Sequence, residues 1–150
     1  MRVFLLAVVT LFASQVAVAG HHEAGEMSAN LKTAKASYAA FASGDMEAWA
    51  AGQADNATWV MPEGLPWTGT YTGPAEVIEK VLEPLGKALP DLKVTPIAFY
   101  ESGDKIFVTT TYTATNLNTK ALHMITFKDG KFVGFEPFEP THLMMKAAGK

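Results

Sequence analysis

The chain has 150 residues, a formal net charge of −3 and 49% hydrophobic residues, which suits one domain with a real core and is too short for two. It has no cysteine, so disulfides, thiol nucleophiles and cysteine-held metals are excluded. Arg2 is the sole arginine, and lysines such as Lys32, Lys80 and Lys105 are scattered; with no basic stripe and no guanidinium fork, nucleic acid and strongly anionic ligands are not expected.

Met1–Ala19 reads as a secretory signal peptide: Arg2 starts it, Val3–Phe12 is the apolar run, and Ala17-Val18-Ala19 is a small-x-small cleavage site. The run is shorter than the roughly 20 residues that span a bilayer. Cleavage removes Arg2, takes the formal charge from −3 to −4, and places the mature chain in a periplasm or outside the cell, with no membrane attachment. Residues 20–27 read as a flexible polar tail. The new terminus, Gly20-His21-His22, has a free amine and a histidine in third place. That set can bind Cu(II) or Ni(II) in a square plane; the alternative is a plain solvated tail.

The domain is expected over residues 28–140. Ser28–Ser43 predicts the first helix, capped by Ser28 or Asn30, with Leu31, Ala34, Tyr38 and Phe41 on one face and Gly44 as its stop. Asp45 caps a second helix, Met46–Ala54, with Trp49 inward. Asp55 and Asn56 are expected to turn the chain into a short strand, Ala57–Met61. A Pro/Gly-rich break, Pro62–Pro66, and a second strand, Trp67–Thr72, follow. Large apolar side chains on both sides of that break read either as a pocket rim or as a hairpin with core aromatics.

Pro74 opens a third helix with Ile78, Val81, Leu82 and Leu85 inward; Pro84 strains its last turn, and Leu89-Pro90-Asp91 closes it. Four strands follow: Leu92–Glu101, Lys105–Thr115, Ala121–Lys128 and Lys131–Glu139. Alternation turns Ile106, Val108, Thr110 and Tyr112 toward the helices, and gives His123 a face with Ile125 and Phe127. Asp129-Gly130 signals a tight hairpin. Residues 141–150 are expected to be a loosely held C-terminal tail. The order predicts an α+β domain: three N-terminal helices packed on a curved, mostly antiparallel sheet.

The runs YAAFASGDMEAW, ADNATWVMP, GTYTGPAEVIEKVL, LPDLKV and FKDGKFVGFEPFEP, in this order, resemble the SnoaL-like branch of the nuclear transport factor 2 fold, the superfamily that includes ketosteroid isomerase. The resemblance covers about Ser28–Pro140 and implies a cone-shaped domain with an interior cavity. It implies no single activity, because the fold serves isomerases, cyclases, dehydratases, hydrolases and non-catalytic domains. The isomerases' base is an aspartate directly before the proline of the first strand; here Met61 precedes Pro62. Their oxyanion tyrosine falls at Ser37, with Tyr38 beside it on a different face. Their second oxyanion group falls at His123. Steroid-type isomerisation by the aspartate mechanism is therefore not expected.

His123 is the strongest candidate for acid–base chemistry, with Tyr112 beside it as a donor; a satisfied core histidine and tyrosine are the alternative. Trp59, Met61, Trp67, Tyr71 and Phe135 are the expected ligand-binding lining, with core packing as the alternative. Glu63 at the mouth is a possible displaced base or a solvated loop residue. No cofactor is expected. The resulting expectation is an exported homodimer that binds a small, largely apolar molecule. The alternatives are an isomerase, cyclase or dehydratase using His123 on a small carbonyl compound, and a dimerising adaptor with a filled core.

Overall fold

The computed structural model describes residues 27–149. The expected signal peptide and the Gly20-His21-His22 terminus lie outside them. Helix α1 (Ala29–Ser43) begins where the Ser28 hydroxyl accepts from the Leu31 N–H, and ends at Gly44 in the left-handed conformation. Helix α2 (Met46–Ala51) is capped by Asp45, whose carboxylate accepts from the Ala48 N–H, and buries Trp49. It stops at Gly52, shorter than expected. Gln53 is needed elsewhere: it is buried, and its side-chain oxygen accepts from the Trp59 indole.

Strand β1 (Gln53–Met61) therefore starts earlier than expected and contains Asp55 and Asn56. Strand β2 (Gly69–Thr72) pairs antiparallel with it. Helix α3 (Pro74–Val77) runs through a π-helical turn, Ile78–Leu82, into α4 (Glu83–Ala88). The third expected helix is thus one rod with a wider turn in its middle, next to Pro84, which has no N–H to continue the regular ladder.

Strands β3 (Lys93–Ser102), β4 (Lys105–Ala114), β5 (Leu117–Lys128) and β6 (Lys131–Phe138) form an antiparallel meander. The turn between β4 and β5 is Thr115-Asn116, with Asn116 at φ 60°. Leu117, expected in the turn, is buried and opens β5 instead. The six-stranded sheet has the order β2-β1-β6-β5-β4-β3, and only the β1–β6 pairing is parallel. The expected α+β architecture holds: the helices cover one face of the sheet.

The C-terminal segment is not a loose tail. Helix α5 (Thr141–Ala147) packs against β5, and Met144 is only 2% exposed. Burying a methionine side chain contributes about 1.5–3 kcal/mol, and the partly buried Leu143, Met145 and Ala147 add to the hold on a helix that has no side-chain cap.

Candidate functional site

Between the helices and the inner sheet face lies a cavity of about 70 Å³. All three tryptophans of the chain line it. Around them, the Trp59 ring lies 4.1 Å from that of Phe135 and meets Trp49 edge-on at 5.6 Å. Apolar cavities of about 150 Å³ admit benzene, so a ring-sized ligand enters only if the wall gives. Val81 and Leu82, on the π-helical turn, are part of that wall, and such turns recur at functional sites.

Four polar side chains of the cavity form one connected chain. The Tyr38 hydroxyl, from α1, lies 2.6 Å from Nδ1 of His123 on β5. Nε2 of His123 lies 2.5 Å from the hydroxyl of Tyr112 on β4. That hydroxyl donates to Oε2 of Glu139 at 2.9 Å. The sheet register makes this reach possible: His123 faces Val108, and the small pair Thr110–Ala121 lies between it and the Tyr112 level. The Tyr112 ring meets the imidazole edge-on, with centroids 5.7 Å apart.

The direction of the chain follows from donor counting. A tyrosine has one proton to give, and Tyr112 gives it to Glu139. Its oxygen must then accept from His123 Nε2–H. The neutral imidazole has one donor and one acceptor, so Nδ1 accepts from Tyr38.

Burial sets the protonation states. His123 is 4% exposed, and desolvation lowers its pKa to about 3, so the ring is neutral at neutral pH. Burial raises the Glu139 carboxyl to about 7, with the Tyr112 hydrogen bond pulling the other way. Burial also pushes both tyrosine hydroxyls well above their ordinary value of 10.0. The group that changes charge near neutrality is therefore Glu139, not His123. Its second oxygen, Oε1, is buried without a partner, and so is the indole N–H of Trp67.

The expected site residues sort clearly. His123, Tyr112, Trp59, Met61, Trp67 and Phe135 all line the cavity. Tyr71 does not: its one hydroxyl proton is shared between the backbone oxygens of Trp67 and Thr68, each 3.1 Å away, and it sits on the edge strand β2, beside Trp59. Glu63 is exposed and outside the lining. Tyr38, which the family comparison set aside in favour of Ser37, is the residue that reaches His123. Helical periodicity alone had already put Tyr38 on the inward face. Glu139 is not among the expected site residues, although continuing the alternation Phe135, Pro137 by one step turns it inward. Among the described residues no group of three or more His, Cys, Asp or Glu side chains is placed to hold a metal ion.

Comparison with known proteins agrees with this fold. The family model described as a SnoaL-like domain matches residues 34–135. TerC, crystallised with polyporic acid, is 28% identical, with 82% of this chain and 100% of that one covered, at a TM-score of 0.76. An NTF2-like protein of unknown function from Burkholderia pseudomallei is 31% identical, with 83% and 100% covered, at a TM-score of 0.76. IdmH, a proposed polyketide cyclase from Streptomyces antibioticus, shares the fold at 20% identity, with 81% and 99% covered and a TM-score of 0.67. A search among curated proteins finds no match. From the matched span and the shared architecture, the chain belongs to the SnoaL-like domain family, on the NTF2-like α+β fold.

Proposed function

We propose that this chain is an exported SnoaL-like domain that binds a small, largely apolar molecule in the cone cavity. One observation carries the reading. Two residues of the aromatic cavity lining, Glu139 and Trp67, each carry a buried polar atom with no protein partner, Oε1 and Nε1. Leaving such atoms unpaired costs about 1–3 kcal/mol each, and a ligand that pairs with them recovers that cost. An adaptor with a filled core has no use for either. TerC's crystallisation with polyporic acid makes that compound a reasonable first probe.

The reading includes a homodimer through the outer sheet face. Tyr100, Phe107 and Met124 adjoin one another there across β3, β4 and β5, and Leu122 adjoins Phe138 across β5 and β6. Tyr100 and Phe138 are more than half exposed, which supports burial against a second copy.

Native mass spectrometry of the gently purified full chain tests the binding reading. A co-purifying small molecule released on denaturation is the expected result. A bare protein whose tryptophan emission is also unmoved by polyporic acid contradicts it.

A further inference from the structure

The chain of hydrogen bonds from Tyr38 to Glu139 is more than a satisfied core. All four members line the cavity, and each bond joins groups that can both give and take a proton. Glu139 also borders a groove on the outer surface, together with Val60, Pro62, Glu136, Pro137 and Phe138. One end of the chain is thus on the first helix, inside, and the other is in the wall between cavity and surface.

We infer that Tyr38, His123, Tyr112 and Glu139 form a proton relay that exchanges a proton between a cavity-bound oxygen acid and the Glu139 carboxylate. Tyr38 takes the ligand's proton as the catalytic residue; His123, Tyr112 and Oε2 of Glu139 carry the relay behind it, while Glu139 Oε1 accepts a second ligand donor. The inference rests on the ligand-binding reading above and gives the ligand its chemistry. In the resting chain Tyr38 spends its proton on His123, so its oxygen can only accept. Glu139 Oε1 can only accept as well. Trp67 Nε1–H can only donate. The complementary molecule carries two O–H groups and an acceptor oxygen on an apolar body: a dihydroxylated enol or phenol.

The step balances as one proton moved. The ligand O–H bond breaks and its proton goes to Tyr38 Oη. Tyr38 passes its own proton to Nδ1, Nε2 passes its proton to Tyr112, and Tyr112 passes its proton to Glu139 Oε2. The negative charge moves from the carboxylate to the ligand oxygen, leaving an enolate or phenolate. No bond other than O–H and N–H is made or broken, and nothing is oxidised or reduced. The imidazole changes tautomer, from Nε2–H to Nδ1–H, without becoming charged. In the reverse direction the same four protons return.

The relay has a signature in the free protein. When Oε2 of Glu139 takes a proton it becomes a donor to Tyr112, the chain reverses, and His123 changes tautomer while staying neutral. The titratable side chains lining the cavity are the four of the relay; Glu136 shares only the outer groove, His142 on α5 is exposed, and no lysine lines either space.

Nitrogen-15 NMR of the histidine-labelled full chain reads this directly. The expected result is Nε2–H above the Glu139 transition and Nδ1–H below it, with no imidazolium. Glu139→Gln should abolish the pH dependence, and Tyr112→Phe should uncouple the ring from Glu139. A single tautomer at every pH, or a ring that becomes charged near its ordinary pKa, overturns the relay. Failure of the binding reading shows up elsewhere, in native mass spectra and tryptophan emission, and leaves this signature intact.

Discussion

Tyr38 on α1 and Glu139 beyond the end of β6 are the two ends of one hydrogen-bonded chain, joined through His123 and Tyr112. They belong to different elements and make no hydrogen bond to each other; the side chains of His123 and Tyr112 connect them across the cavity wall.

The stability of the protein should show an unusual plateau with pH. The Glu139 carboxyl is raised by burial from 4.5 to about 7, so the folded state holds a proton that the unfolded chain has lost. Its contribution is full below about pH 4.5 and is lost as pH rises through about 7. His123 is lowered by burial from 6.5 to about 3, so the unfolded chain binds a proton that the fold refuses. Its contribution is full above about pH 6.5 and is lost as pH falls toward about 3. Between pH 4.5 and 6.5 the two slopes oppose each other. Urea denaturation should give a nearly flat stability there in the wild type. In Glu139→Gln only the histidine slope remains, and stability should fall as pH drops across the same window. Parallel wild-type and variant curves would count against these assignments.

Tyr38→Phe removes the donor to Nδ1 and leaves a buried acceptor unpaired, at a cost of about 1–3 kcal/mol. The sharper test is a double-mutant cycle with Glu139→Gln. Tyr38 and Glu139 make no direct hydrogen bond, yet they share one chain. A coupling of at least about 0.5 kcal/mol is expected; strict additivity contradicts a connected network.

Met144→Ala should destabilise the domain by about 2–5 kcal/mol, the range for deleting a buried methionine side chain. Thermal unfolding of the variant measures it. A negligible change would mean that the C-terminal segment is held as loosely as its sequence suggests.

Light scattering should give the mass of a dimer. Replacing Tyr100 and Phe138 together by glutamate, at exposed positions where the fold itself loses little, should give a monomer with unchanged helix and strand content. A wild-type monomer contradicts dimerisation through the outer face.

Much of the frame was legible in the residues themselves. Ser28, Gly44 and Asp45 mark helix ends by local chemistry, and they cap or stop the helices as expected. The alternation Ile106, Val108, Thr110, Tyr112 reads the buried face of β4 directly. What escaped were features decided by distant contacts. Leu117 sits among polar turn residues, and only a core partner makes it a strand residue. Helix α5 looks like an uncommitted tail until Met144 is seen buried. The π-helical turn at Ile78–Leu82 leaves the apolar spacing of its helix almost unchanged, so periodicity cannot reveal it. In the site, His123 and Tyr112 stood out by alternation. Tyr38 was on the correct face, but comparison with the isomerases pointed one residue away, to Ser37. Glu139 was hidden by its neighbours: beside Pro140 at a strand end, a glutamate looks like a solvated loop residue.

The most direct measurement is the indole region of a nitrogen-15 HSQC spectrum during titration with polyporic acid. The chain has three tryptophans. Trp59 Nε1 already donates to Gln53, whereas Trp67 Nε1 has no partner. A ligand in the cavity should shift the Trp67 indole signal saturably downfield, as it gains an acceptor, and move that of Trp59 less. Three indole signals that stay in place through the titration would contradict a ligand site in this cavity.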